Sequence, residues 1–142
     1  MIFKELTQED KLLFLTDLCG RMPFGVVCTD TYLNVTGTLS AIGLNYDMGV
    51  LDKDDGEDES VYIPNCKPYL FPLDSMTDEQ KNNCPINETN LNIIKSNIGY
   101  GIIEMPWRLS YLFVDWCNKN HFDYRGLIPM GLANDATGLN IY

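Results

Sequence analysis

The chain carries little basic charge and only one histidine. Its 142 residues include 20 acidic and 10 basic side chains, which gives a formal net charge of −10 at pH 7. Proteins that bind a nucleic-acid backbone need clustered Lys and Arg, so this balance argues against direct nucleic-acid backbone binding. An acidic surface favours solvation, and it also permits docking onto a basic partner.

Long apolar runs and targeting signals are missing as well. No stretch approaches the roughly 20 apolar residues that a transmembrane helix requires. The opening residues, MIFKELTQED, carry acids early and lack the apolar core of a signal peptide. We therefore expect a cytoplasmic protein with no membrane contact.

Paired cysteine motifs are absent too. The sequence has five cysteines, an odd number, and no two of them have the C-x-x-C spacing; they are Cys19, Cys28, Cys66, Cys84 and Cys117. With a single histidine, no standard zinc ligand set can be assembled, so the sequence predicts no metal site. We expect reduced thiols, most of them buried as small apolar side chains.

The common catalytic motifs are also lacking. The sequence contains no G-x-S-x-G elbow, P-loop or dinucleotide fingerprint, and therefore predicts no cofactor. Cys117 and His121 are four residues apart and would share a helix face, as a thiol–imidazole pair requires. A cysteine on an apolar helix is normally inert, however. The sequence thus favours a protein that is not an enzyme.

What is present indicates one α+β domain over residues 1–142. Apolar residues make up 45% of the chain and aromatic residues 11%, enough for a substantial core. A capped apolar pattern predicts a helix at 8–19, and Val- and Thr-rich segments from residue 24 predict short antiparallel strands. The small antiparallel sheet is expected to pack against this helix and a longer one at 106–120.

The segment PWRLSYLFVDWCNKN, residues 106–120, has the strongest helical pattern. Pro106 suits the first position of a helix, and apolar side chains fall on most of its sides. We expect a buried central helix in the C-terminal half. Four aromatic residues should dominate the core: Trp107, Tyr111, Phe113 and Trp116.

The acidic run DKDDGEDES, residues 52–60, resembles a calcium-binding loop in composition only. An EF-hand loop places glycine at its sixth position and glutamate at its twelfth. Counted from Asp52, Gly56 comes one residue early and Ile63 stands at the twelfth position. The run is interpreted as the solvated tip of a hairpin.

The segment HFDYRGLI, residues 121–128, contains the only histidine. In one interpretation it is a structural corner, in which His121 bonds the end of the preceding helix and Asp123 caps a new short helix. In the other, the corner also recognises a partner, because Tyr and Arg are enriched at binding hot spots. The candidate binding residues are Tyr124, Arg125, His121, Tyr69, Arg21 and Arg108.

Four blocks of the sequence resemble a known family. They are DLCGRMPFGV (17–26), KPYLFPLDSMT (67–77), NHFDYRGLI (120–128) and GLANDATGLNIY (131–142). In this order they resemble an uncharacterised family of small proteins that is common in gut Bacteroidales genomes, prophages and phages. The resemblance implies a mobile-element protein in the cytoplasm of a bacterial host. It supplies no activity or catalytic residue, and residues 27–66 match no pattern of that family.

Two classes of function follow from these observations, with an enzyme of unknown class as the third alternative. The first is a non-enzymatic interaction protein of a phage or mobile element that docks an acidic surface on a host or phage protein, for instance in counter-defence. The second is a small-molecule binder, such as a sponge for a nucleotide signal. The binder would need Arg21, Arg108 and Arg125 to converge on a pocket, because the chain is acidic overall.

Overall fold

The structure is a computed structural model. It describes residues 6–43, 45, 47–97 and 107–142, and for residues 97 and 107–110 it describes the backbone only. The helices are α1 (Gln8–Arg21), α2 (Asp78–Asn83), α3 (Glu88–Asn97) and α4 (Trp107–Asn120). The strands are β1 (Val27–Asp30), β2 (Val35–Ile42), β3 (Met48–Asp52), β4 (Asp58–Tyr62), β5 (Cys66–Pro72), β6 (Phe122–Asp123) and β7 (Asn134–Asp135).

The strands form one mixed sheet in the order β4-β3-β2-β1-β5-β6, and β7 also pairs with β5. Strands β1 to β5 pair antiparallel with their neighbours, whereas the two-residue strands β6 and β7 run parallel to β5. The α+β class is therefore confirmed. The prediction of a purely antiparallel sheet is wrong, because it did not include the two short C-terminal strands.

The sheet must be strongly curled. Four strand spacings separate β4 from β5, which would be about 19 Å in a flat sheet. The connection between Tyr62 and Cys66 is the short 3₁₀ helix Ile63–Asn65, and four residue steps span at most about 14 Å. Ile63 is fully buried, and a Cβ at Gly49 would lie 2.5 Å from its Cδ1 atom. Ile63 therefore lies on the inner side of the curled sheet.

The concave face of the sheet packs against α1. Phe14 and Leu18 of this helix join a buried cluster with sheet residues such as Leu39, Leu51 and Leu70. Thr7 caps the helix, since its Oγ1 atom accepts a hydrogen bond of 3.1 Å from the backbone N–H of Asp10. The sequence placed the start of this helix correctly.

A second cluster lies between α3, α4 and β6. Phe113 and Cys117 of α4 pack there with Leu91 of α3 and Phe122 of β6. The helix that was expected to support the sheet therefore contributes its buried apolar side chains Phe113 and Cys117 to this separate cluster.

Helix α4 is amphipathic over its described side chains. Tyr111 is 45% exposed and Leu112 is 37% exposed, and Asp115 also faces solvent. The structure therefore does not show the expected helix that is buried on most sides over residues 111–120. Trp116 is half-buried and stacks on Phe122, with ring centroids 5.3 Å apart. Pro106 and the side chain of Trp107 lie outside the described residues.

Helix α2 follows its sequence signal closely. Thr77 and Gln80 form a reciprocal capping box, and the helix has no buried residue, as expected of an exposed helix. In the part of the chain that the structure describes, no helix is long and apolar enough to cross a lipid bilayer.

Candidate functional site

A buried ion pair lies beneath the segment HFDYRGLI. Asp17 and Arg21 are one turn apart on α1, and both side chains are fully buried. Arg21 Nε donates to Asp17 Oδ2 at 2.6 Å, and its Nη2 atom donates to the Phe122 carbonyl at 2.7 Å. The guanidinium therefore ties α1 to β6, and it is engaged inside the fold.

Tyr124 and Arg125 extend this ion pair toward the surface. The guanidinium carbons of Arg21 and Arg125 lie 5.2 and 5.0 Å from the centroid of the Tyr124 ring. Arg125 Nε is 3.2 Å from Asp17 Oδ1, but the N–H is not directed along that line, so the contact is an ion pair without a hydrogen bond. Burial raises the pKa of the Tyr124 hydroxyl above its usual value.

His121 is buried at the end of α4. It adopts the left-handed conformation, with φ of 63°, and its ring stacks on Tyr142 at a centroid distance of 3.5 Å. Burial, together with the nearby charge of Arg21, lowers the pKa of His121 to about 4. The imidazole is therefore neutral near pH 7. Asn120, and not His121, bonds the last turn of α4: its Nδ2 atom donates to the Trp116 carbonyl at 2.8 Å, whereas His121 Nδ1 is buried without a hydrogen-bond partner among the described residues.

Tyr142 closes a gap between two strands. Its hydroxyl accepts a hydrogen bond from the Val27 N–H at 3.1 Å and donates one to the Tyr69 carbonyl at 2.7 Å. The pairing of β1 with β5 ends at Cys28 opposite Pro68, so the phenol continues the ladder for one further step. Tyr69 takes part in this arrangement through its backbone.

Asp123 organises the turn that follows β6. Its carboxylate accepts hydrogen bonds from the backbone N–H groups of Gly126, Leu127 and Ile128, at 2.9 to 3.0 Å. Burial raises the pKa of the Asp123 carboxyl above its usual value, although the hydrogen bonds from Ile128 and Leu127 lower it in part. The prediction of a short helix capped by Asp123 is therefore wrong: the carboxylate bonds the backbone of a turn, and residues 124–131 form no helix.

The structure thus brings four of the six candidate binding residues into one half-buried to buried cluster: His121, Tyr124, Arg125 and Arg21. Tyr69 is adjacent through Tyr142, and the side chain of Arg108 lies outside the described residues. A cleft of about 250 Å³ lies nearby, lined by Pro72, Leu73, Asp74, Lys95, Asp123, Ile128 and Pro129. None of the five candidates whose side chains the structure describes lines that cleft. Their placement favours a structural role.

The Cys117 thiol is not arranged as a nucleophile. Its side chain is completely buried, and burial raises the pKa of the thiol well above its usual value. His121, with its lowered pKa, is a weak base. The geometry gives no support to a thiolate–imidazolium pair, which needs an accessible thiol of low pKa.

The acidic tip, defined as residues 52–59, is a tight hairpin. Gly56 N–H donates to the Lys53 carbonyl at 3.0 Å and Lys53 N–H donates to the Glu57 carbonyl at 2.9 Å. Gly56 has φ of 82°, a conformation that glycine adopts without strain. The interpretation of this run as a hairpin tip is confirmed.

The charges of the acidic tip are poorly balanced. The tip holds six carboxylates, and its one cation is Lys53. The Lys53 ammonium lies 3.6 to 4.0 Å from Asp55, Glu57 and Glu59. Asp52 and Asp58 face each other across the hairpin. A hydrogen bond with the Asp52 carboxylate and the negative charge of Asp52 both raise the pKa of the exposed Asp58 carboxyl.

A second turn, the aromatic tip, comprises residues 31–34 and joins β1 to β2. Asp30 is buried, and its Oδ1 atom accepts hydrogen bonds of 2.8 Å from the N–H groups of both Tyr32 and Leu33. Tyr32 is 83% exposed and Leu33 is 46% exposed. Sequence reasoning missed this site, because Asp30 and Asn34 signal a turn but do not reveal which side chains it exposes.

The two tips project from the same end of the sheet. Asp30 lies opposite Val35, where β2 begins, and Asp52 lies opposite Thr38, three residues further along β2. The β1–β2 and β3–β4 hairpins are two strand spacings apart, about 10 Å. An exposed aromatic side chain and a strongly acidic turn are therefore neighbours on one surface.

Comparisons of the chain with protein-family models, with curated proteins and with solved structures found no match.

Proposed function

We propose that this protein is a non-enzymatic interaction protein that docks its acidic tip onto a basic surface of another protein. The observation that carries the proposal is the Asp52–Asp58 pair, two carboxylates placed directly opposite each other at a hairpin end. The tip has a net charge of −5, half of the −10 of the whole chain. The charge is thus concentrated at one place.

The like-charge pair works against folding. Lys53 N–H donates the last ladder bond of the hairpin to the Glu57 carbonyl, so Asp52 and Asp58 occupy the next, non-hydrogen-bonded position, where side chains are closest. Like charges directly opposite each other destabilise a sheet. A Lys or Arg from a partner would relieve the repulsion, and the field around the tip would accelerate encounter with a basic surface.

The surroundings of Arg21 and Arg125 favour docking over the small-molecule alternative. A binder for an anionic nucleotide would need Arg21 and Arg125 to face an open pocket. Arg21 is instead fully buried and bonded to Asp17 and the Phe122 carbonyl, and Arg125 leans on the same carboxylate. Both cations are therefore engaged within the fold.

The proposed partner is a host or phage protein with a basic face. The family that the four sequence blocks resemble implies a mobile-element protein. In that setting, the proposed docking would serve counter-defence by binding a host defence component. The Cys117–His121 geometry supports a protein that acts by binding and not by catalysis.

The test compares three baits in affinity capture from a Bacteroidales lysate, with and without phage infection. The first bait is the wild type, and the second is Asp54→Asn/Asp55→Asn/Asp58→Asn, which neutralises the acidic tip. The third, Asp78→Asn/Glu79→Gln/Glu88→Gln, removes the same charge at exposed positions of α2 and α3. Captured proteins are quantified by mass spectrometry.

A protein with a basic face should bind the wild type and the charge-matched control, and it should be lost from the tip variant and at high salt. Equal capture by all three baits would contradict the proposal. So would capture that falls equally in both charge variants, because this would indicate an effect of net charge alone.

A further inference from the structure

We infer that Tyr32 and Leu33 are the apolar anchor of this docking surface, and that the partner presents a protein segment in which apolar side chains are flanked by Lys and Arg. The inference rests on the proposed function, because it takes the acidic tip to be the charged part of the same interface. It adds a second contact and specifies the chemistry of the partner.

The exposure of the aromatic tip is the first observation. Tyr32, at 83%, is the most exposed of the large apolar or aromatic side chains that the structure describes, and Leu33 beside it is 46% exposed. Single exposed apolar residues are common on protein surfaces. Two adjacent ones at the outermost point of a hairpin present a contiguous contact area, and tyrosine is among the residues that dominate binding energies.

The aromatic tip is also held in place before any partner arrives. The Asp30 carboxylate fixes the N–H groups of Tyr32 and Leu33. Thr31 adds two bonds of 3.0 Å, because its N–H and its Oγ1 both donate to the Asn65 carbonyl. A turn that is already ordered loses less conformational freedom on binding.

Charge complementarity identifies the occupant. The acidic tip lies about two strand spacings, or ~10 Å, from the aromatic tip, so a segment that covers Tyr32 also meets the carboxylates. A central aromatic contact with polar and charged surroundings is the usual anatomy of a protein interface. A second copy of this chain would bring two tips of net charge −5 together, and a nucleic acid would also be repelled.

The experiment selects binders from a displayed library of random linear peptides on the immobilised wild-type protein. Enriched peptides are then synthesised, and their affinities are measured by fluorescence anisotropy at low and high salt. Four proteins are compared: the wild type, Tyr32→Ala/Leu33→Ala, the Asp54→Asn/Asp55→Asn/Asp58→Asn tip variant, and Leu12→Ala as a control. Leu12 is 66% exposed on α1, so it controls for the loss of an exposed apolar side chain elsewhere.

The expected peptides combine Lys or Arg with apolar residues. Tyr32→Ala/Leu33→Ala should weaken them by roughly tenfold or more, the scale of a hot-spot residue, while Leu12→Ala leaves affinity unchanged. Circular dichroism and thermal melts verify that each variant is folded, which is expected because the substituted side chains are exposed.

The outcomes separate this inference from the proposed function. Basic peptides that depend on the acidic tip but not on Tyr32 and Leu33 would overturn the inference and leave the docking function standing. Peptides that need Tyr32 but carry no basic residues would overturn the assigned partner chemistry. Self-association of the wild type that disappears in Tyr32→Ala/Leu33→Ala would point to a second copy and overturn it as well. A selection without enrichment would count against both proposals.

Discussion

The single histidine should make the stability of this protein depend on pH in a way that one substitution removes. His121 is neutral in the folded protein because its pKa is lowered to about 4, whereas its ordinary value is 6.5. Above pH 6.5 the imidazole is neutral in both the folded and the unfolded state. As the pH falls from 6.5 toward 4, the unfolded chain binds a proton there and the folded protein does not, so the free energy of unfolding decreases.

The size of this effect follows from the shift in pKa. Each unit of pKa difference corresponds to about 1.4 kcal/mol, so His121 should lower the free energy of unfolding by about 3 kcal/mol between pH 6.5 and 4. The proposed variant is His121→Asn, because asparagine tolerates the left-handed backbone at φ of 63° and does not titrate. It also loses the stack on Tyr142, so the variant should be less stable than the wild type above pH 6.5.

Urea unfolding of both proteins over this pH range gives the measurement. The carboxylates titrate in both proteins, so the difference between the two isolates His121. The stability advantage of the wild type should shrink by about 3 kcal/mol as the pH falls from 6.5 to 4. In parallel, the one imidazole can be followed by NMR in the folded protein. A stability difference that is constant with pH, or an imidazole that titrates near 6.5 in the native state, would refute the reasoning.

Two further predictions concern the core. Asp17→Leu leaves Arg21 charged and buried and should cost about 3–5 kcal/mol. Arg21→Met should lower the free energy of unfolding by less, since Arg125 remains 3.2 Å from Asp17. Urea unfolding of the two single variants and of the double variant measures these losses. Equal losses in the two single variants would argue against a supporting role for Arg125. Gly49→Ala places a Cβ 2.5 Å from Ile63 Cδ1 and should cost about 1–3 kcal/mol through overpacking. Thermal melting checks this, and an unchanged midpoint would mean that the sheet can relax away from Ile63.

Local signals allowed the sequence to predict several parts of the protein correctly. The capped start of α1, the acidic hairpin tip and the role of the Asp123 carboxylate in bonding the backbone that follows it were all identified. Each depends on a few consecutive residues, because a cap or a tight turn is stabilised by hydrogen bonds within one turn of chain. The acidic composition of residues 52–60 likewise predicted a concentration of negative charge there, and residues 52–59 carry half of the net charge.

Features that depend on distant contacts could not be predicted in this way. The helical pattern of 106–120 was recognised, but not that Tyr111 and Leu112 would remain exposed, because the exposed side of a helix depends on what packs against it. The two parallel strands β6 and β7 are only two residues long, too short to show any periodicity.

For the candidate site, the sequence by itself determined which residue types are available, and the tertiary structure decided their roles. Arg21 and His121 were candidates for binding because they are polar, but long-range packing buries them against α1, β6 and Tyr142. Tyr32 was overlooked because an aromatic side chain is usually buried, yet no element in the described part of the chain covers the short turn between β1 and β2. Exposure is a property of the assembled surface, and only the paired strands brought the aromatic and acidic tips to the same end of the sheet.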